Sequence, residues 1–117
     1  ELDISNSNLI AVVTNDGWWK NTAGYKQHFS YSKIRAIENR KFVVRSANTG
    51  ISGIIDYKGN VQSFTKWNEK TNIISRVFLN KEKTFYSKFG DYIGRISTFL
   101  YVILILTVIV KRKTKLP

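Results

Sequence analysis

The sequence predicts a mixed α/β domain followed by one transmembrane helix, on the strength of three segments. Leu9 to Thr14 (LIAVVT) is a short, continuously apolar, β-branched run closed by Asn15-Asp16-Gly17, the pattern of a strand covered on both faces and ended by a turn. Tyr25 to Arg40 contains neither Gly nor Pro and carries good helix formers at Lys33, Arg35, Ala36 and Glu38. Ile96 to Val110 (ISTFLYVILILTVIV) has no charged residue and stops at Lys111-Arg112-Lys113.

In chain order, Glu1 to Asn8 is polar and reads as a helix end and connecting loop. After the Leu9–Thr14 strand come Trp18, Trp19 and a loop from Asn21 to Gly24. In the helix that follows, Lys26, Lys33 and Arg40 recur every seven residues and share one side. Tyr25, Phe29, Tyr31, Ile34, Ala36 and Ile37 occupy much of the remaining circumference, so the helix is expected to pack on more than one side. Phe42 to Arg45 is a second short strand, broken at Asn48-Thr49-Gly50. Ile51 to Asp56, Tyr57-Lys58-Gly59-Asn60 and Val61 to Phe64 read as strand, turn and strand, with Gly59 supplying the positive φ of a hairpin loop. Asn72 to Leu79 is a further strand candidate.

The apolar run at the end is short for a membrane. Fifteen residues of helix rise about 22 Å, against a hydrocarbon core of roughly 30 Å. Extension back through Tyr92 and Ile93 closes much of the gap if Arg95 snorkels. The basic cluster after Val110 acts as a stop-transfer flank and places the C-terminus in the cytoplasm, with residues 1 to about 90 on the outer face.

Composition sets limits. The 117 residues suffice for one modest domain, and 43% hydrophobic with 14% aromatic content argues against disorder. The chain has no Met and begins with Glu, so it reads as a segment of something longer. Lys plus Arg number 19 against 8 Asp plus Glu, a net charge of +11 that favours an anionic partner. Beyond Asn80, Lys81, Lys83, Lys88, Arg95, Lys111, Arg112, Lys113 and Lys115 face only Glu82 and Asp91, and they flank the apolar run. That distribution suits lipid headgroups rather than nucleic acid. Lys111, Arg112, Lys113 and Lys115 are the expected headgroup contacts. With no Cys there is no disulfide or thiol nucleophile, and one His without an acidic cluster offers no metal site. No cofactor is expected.

Three segments carry a family resemblance. Val13-Thr14-Asn15-Asp16-Gly17-Trp18-Trp19 resembles a strand-to-loop "TNDxW" segment. Gln27-His28-Phe29 leading to Arg35-Ala36-Ile37-Glu38-Asn39 resembles a "QHL…RAIE" helix, and Val44-Arg45-Ser46-Ala47-Asn48-Thr49-Gly50-Ile51-Ser52 with Asp56-Tyr57-Lys58-Gly59 resembles an "RxANTGxSxxIDxxG" strand and hairpin. A weaker match, Thr84 to Asp91, resembles the "TxYxxxGD" stretch before a last membrane helix. Together they are similar to the nitrilase superfamily and its membrane-anchored branch, apolipoprotein N-acyltransferase, over essentially residues 9 to 110. Gly17 and Trp19 depart from the family's "NDAWF", which suggests a divergent lineage.

The resemblance implies the C-terminal part of an αββα-sandwich nitrilase-like domain over residues 1–91, a transmembrane helix over 92–110 and a basic cytoplasmic tail over 111–117. It also implies a bacterial inner-membrane location with the nitrilase-like part periplasmic. Such enzymes move an acyl chain from a membrane phospholipid onto a Cys, forming a thioester, and then to the N-terminal diacylglyceryl-cysteine of a lipoprotein. A carboxylate activates the nucleophile and a Lys stabilises the oxyanion. In the family the Glu, Lys and Cys precede the Leu9–Thr14 strand, so this chain is expected to hold none of them and to be inactive alone.

The candidate pocket or rim residues are Asn15, Asp16, Trp18, Trp19, Asn48 and Thr49. Asn15 and Asp16 either shape a pocket floor or simply serve a turn. Trp18 is expected to pack in the core; Trp19, followed by Lys20, divides evenly between packing and the lipid interface. Asn48-Thr49-Gly50 either faces an active-site rim or supplies corner geometry, with Asn tolerating the left-handed region. His28 reads as a hydrogen-bonded structural residue and Arg35–Glu38 as a structural ion pair. Two alternatives remain open: another membrane-tethered carbon–nitrogen hydrolase such as an amidase, or a small basic single-pass membrane protein without enzymatic role.

Overall fold

The structure, a computed structural model, describes Ile4 and residues 6–114. Of the expected helix end within Glu1–Asn8, Ile4 and residues 6–8 are described and form a turn in which the Ser7 amide donates to the Ile4 carbonyl at 3.1 Å; Lys115 lies outside the described residues.

Four strands form one sheet in the order β1-β2-β3-β4: β1 (Ile10–Thr14), β2 (Val43–Ala47), β3 (Gly53–Ile55) and β4 (Val61–Phe64). β1 and β2 run parallel, with Ile10 opposite Val43 and Val12 opposite Arg45. Joining two parallel strands requires a crossover. It is helix α1 (Ala23–Asn39), which packs across the sheet. β2, β3 and β4 then pair antiparallel.

Local chemistry sets the ends of α1. Thr22 caps its start, its hydroxyl accepting from the Gly24 amide. Arg40 ends it in the left-handed region at φ 49°, with its N–H returned to the Ala36 and Ile37 carbonyls. The β3–β4 hairpin is closed by Asp56, whose carboxylate accepts from the Lys58 and Asn60 amides at 2.8 and 2.9 Å. Gly59 supplies φ 85° there, as the sequence predicts. Burial by itself raises the Asp56 carboxyl pKa, but the Asn60 and Lys58 hydrogen bonds outweigh it and hold the group below its ordinary value.

The core lies between α1 and one sheet face: Phe29 and Ala36 pack on Ile10, Val43 and Ile55. Buried positions on the helix are Tyr25, Phe29, Ser32, Ala36 and Asn39, a single stripe at helical spacing. Tyr31, Ile34 and Ile37 stay exposed, so among the described residues α1 packs on one side, not several. β1 departs from expectation in the same way. Ile10 is buried and Val12 partly so, but Ala11 is exposed and Val13 is 87% exposed on the opposite face.

Asn72–Leu79 is not a strand; it runs as an extended strap. Its adjacent pairs Ile73-Ile74 and Val77-Phe78 put apolar groups on both faces of any strand, and only one side of each pair finds cover. Asn80 pins the end of the strap, its backbone amide donating to the Asn8 carbonyl at 3.1 Å and its side chain to the Arg40 carbonyl at 2.9 Å. Two helices follow, the short α2 (Phe85–Phe89) and α3 (Tyr92–Thr114). α2 was not anticipated from the sequence. Residues Tyr92–Lys113 of α3 are long and apolar enough to cross a membrane, and none of that span is buried within the chain.

Candidate functional site

Asp16 sits at the centre of a buried charged cluster. It opens a single 3-10 turn (Asp16–Trp19) directly after β1 and is fully buried. Arg45, on the neighbouring strand, donates from Nη2 to both Asp16 oxygens at 2.8 and 3.1 Å. The same guanidinium donates from Nη1 to the Ser32 hydroxyl and from Nε to the Ile51 carbonyl, both at 3.2 Å. The Thr14 hydroxyl donates to Asp16 at 3.2 Å.

His28 completes the cluster from α1. Its Nδ1 lies 2.8 Å from Asp16 Oδ1 and 3.1 Å from Arg45 Nη2. A guanidinium only donates and a carboxylate only accepts, so Nδ1 can satisfy one of them. The Nδ1–H tautomer donating to Asp16 fits, because Arg45 already has both carboxylate oxygens.

Burial alone raises the Asp16 carboxyl pKa. The hydrogen bonds and charges of His28 and Arg45 more than offset that and hold it below the ordinary carboxylate value. Asp16 is therefore an ionised anchor that locks the loop after β1 to β2 and α1. Gly50 leaves it room. A Cβ there would lie 2.0 Å from Asp16 Oδ2, so no larger residue fits without displacing the carboxylate.

The other candidates lie around this anchor with unequal exposure. The Asn15 side chain accepts from the Gly17 amide at 3.1 Å and starts the turn. Trp18 is 85% exposed, so the expected core packing is wrong. With Asp16 turned inward in a one-turn helix, Trp18 is carried outward. Trp19 is about half exposed and lies against Gly24, where a Cβ would come within 2.5 Å of its ring. Its ring centroid is 6.5 Å from that of His28.

Asn48 is exposed, and its amide donates to the Thr14 carbonyl at 3.1 Å. The left-handed conformation expected at this corner is absent: neither Asn48 nor Gly50 has positive φ, and Gly50 serves space instead. Thr49 Oγ is buried without a hydrogen-bond partner and lies 3.3 Å from where a Gly17 Cβ would sit. Asn15, Trp18, Trp19 and Asn48 are thus exposed, while Asp16 is buried. A separate cleft of about 270 Å³ between β2, β3 and the strap, lined by residues such as Ser46, Ser52, Thr65 and Asn72, includes none of the six candidates.

Arg45 and Ser32 carry the site without having been singled out. The signal was present: Arg45 shares the inward face of β2 with Val43, and an arginine on a buried strand face requires an acidic partner. Among the described residues no group of three His, Asp or Glu side chains could hold a metal ion.

The family described as carbon-nitrogen hydrolase matches residues 4–84. Apolipoprotein N-acyltransferase of Geobacter metallireducens is 38% identical over 85 residues, covering 73% of this chain and 16% of its own length. The protein of that name from Thermotoga maritima is 34% identical, covering 83% of this chain and 19% of its own length. That from Rickettsia bellii is 42% identical, covering 73% and 17%. The chain spans less than a fifth of the length of these three relatives. With the family match covering well over half of its residues, the chain belongs to the carbon-nitrogen hydrolase family.

Proposed function

We propose that the chain is the C-terminal part of an apolipoprotein N-acyltransferase, supplying one wall of a nitrilase-like αββα sandwich and its last membrane helix. The divisions follow the sequence reading: sandwich residues 1–91, a transmembrane helix over 92–110 and a basic cytoplasmic tail over 111–117. The observation that carries this is β1. Its apolar composition suits a strand inside a layered sheet, yet it lies at the sheet edge with Val13 open to solvent. A further strand and a further layer would complete it. The relatives, named as such enzymes, extend far beyond the matched segment.

On this reading the reaction moves an acyl chain from phospholipid to a Cys thioester and on to the N-terminal diacylglyceryl-cysteine of a lipoprotein. The Glu, Lys and Cys of that chemistry lie upstream of residue 1, so this segment holds no catalytic group and is inactive alone. Its part is structural: the Asp16–Arg45 anchor fixes the loop after β1, and Asn15, Trp18, Trp19, Asn48 and Thr49 border the pocket. α3 crosses the inner membrane with Lys111, Arg112, Lys113 and Lys115 at the cytoplasmic headgroups, leaving the sandwich periplasmic.

The test is acyl transfer by the full-length protein in phospholipid vesicles, with a diacylglyceryl-cysteine peptide as acceptor. N-acylation of the peptide is expected. Hydrolysis of small amides without acyl transfer would instead establish a membrane-tethered amidase.

A further inference from the structure

The corner between α2 and α3 leaves an aromatic cluster in solvent. Phe85 and Phe89, one helical turn apart, meet at a 40° tilt with ring centroids at 4.4 Å, and Tyr92, the first residue of α3, meets Phe85 edge-on at 4.8 Å. Phe85 and Phe89 remain 57% and 53% exposed. The segment is also basic: within residues 81–95, Lys81, Lys83, Lys88 and Arg95 face Glu82 and Asp91.

This corner is firmly built. The Thr84 hydroxyl donates to the Glu38 carbonyl at the end of α1 and accepts from the Ser87 amide. The Gly90 amide donates to the Tyr86 carbonyl at 2.7 Å, and Asp91 accepts from the Gly94 amide at 2.9 Å, capping α3. The rings therefore hold a fixed position relative to both α1 and α3.

Exposed aromatics beside cations at the end of an apolar helix match the chemistry of the headgroup–acyl boundary. We propose that Phe85, Phe89 and Tyr92, with Lys88 and Arg95, form an interfacial anchor seated in the phospholipid surface where α3 enters the bilayer. This rests on reading α3 as membrane-spanning. Continuity names lipid as the occupant, because Tyr92 belongs to both the cluster and the first turn of the span. From Tyr92 to Ile96, where the uncharged run begins, a helix rises about 6 Å. The headgroup zone is roughly 5–7 Å thick on each side of the hydrocarbon, so the cluster falls within it. Lys88 and Arg95 then meet lipid phosphates. Through Thr84 the anchor sets the height of α1 above the membrane.

Photocrosslinking separates this anchor from the spanning reading. p-Benzoylphenylalanine replaces, one at a time, Phe85, Phe89, Lys58 and each of Tyr101, Val102 and Ile103, which point in three directions around α3. The carrier is the full-length protein in phosphatidylcholine–phosphatidylglycerol vesicles, with adducts identified by mass. Phospholipid adducts are expected at 85, at 89 and at one or more of 101–103, and none at 58. Lipid adducts within 101–103 but none at 85 and 89, or adducts there only to protein, would overturn the anchor and leave the spanning helix standing. No lipid adduct at 101, 102 or 103 would overturn both.

Discussion

Two ion pairs flank α1, one between the turn after β1 and β2 and one on the helix itself, and they do different things. Arg45–Asp16 is closed off from solvent beneath Ser32 and His28, with side chains 1% and 0% exposed. Arg35–Glu38 bridges successive turns on the outer surface, and its arginine is 56% exposed. The outer pair competes with water and salt, and beyond its own helix its arginine reaches the Tyr86 side chain of α2. The inner pair joins β1, β2 and α1, and each charge has been stripped of water that only its partners replace. The contrast teaches that a pair's reach, not its count, decides its role: the buried charge ties the loop after β1 to two other elements, alongside the Thr22 hydroxyl on the Trp19 carbonyl. In the proposed enzyme that loop borders the pocket.

Breaking the inner pair should have the largest effect. In the full-length protein, Arg45→Ala or Asp16→Ala leaves an uncompensated buried charge and should cost about 3–5 kcal/mol of local stability. Amide hydrogen exchange across β1, β2 and α1 would read this as faster opening. The pair should also make the region acid-labile. The Asp16 pKa is depressed in the fold, so its contribution is complete above its unfolded value, about 3.9, and is lost as pH falls from there through the lower folded value. Asp16→Asn should flatten exchange rates across that acid window; an unchanged pH profile would mean Asp16 does not hold the loop.

Next in size is Gly50→Ala. The added methyl meets a carboxylate that its partners prevent from yielding, so a cost of about 1–3 kcal/mol is expected at the same amides. The smallest effect belongs to the outer pair. Arg35→Ala should cost about 0.2–1 kcal/mol, diminishing with added salt. A loss at Arg35 as large as that at Arg45 would dissolve the comparison.

Much of the fold was legible because local chemistry and tertiary structure agree. The turn after Thr14, the Gly59 hairpin and the long helix each rest on residues that would act the same way in a peptide. The misreadings fall where the answer depends on what covers a surface. LIAVVT has the composition of a strand buried on both faces, and the cover that its Val13 side calls for is absent from these residues and is what the proposed larger domain would supply. Tyr31, Ile34 and Ile37 misled for the same reason. Trp18 looked like core because tryptophan is large and apolar, but the inward turn of Asp16 sends it out. The role of Arg45 went unread because its partner lies 29 positions away, across a parallel strand pair that periodicity alone cannot register.

In the complete molecule β1 is expected to be an interior strand of a larger sheet. Ile10 donates to the Phe42 carbonyl and Thr14 accepts from Asn48, so these residues point their backbone groups at β2. Alternation turns the Ala11 and Val13 amides to the unpaired edge. Hydrogen exchange at those two amides in the full-length protein tests the claim directly. Protection comparable to that of Val12 is the predicted result. Rapid exchange at Ala11 and Val13, with Val12 protected, would show that the edge is open in the complete molecule and would contradict the account.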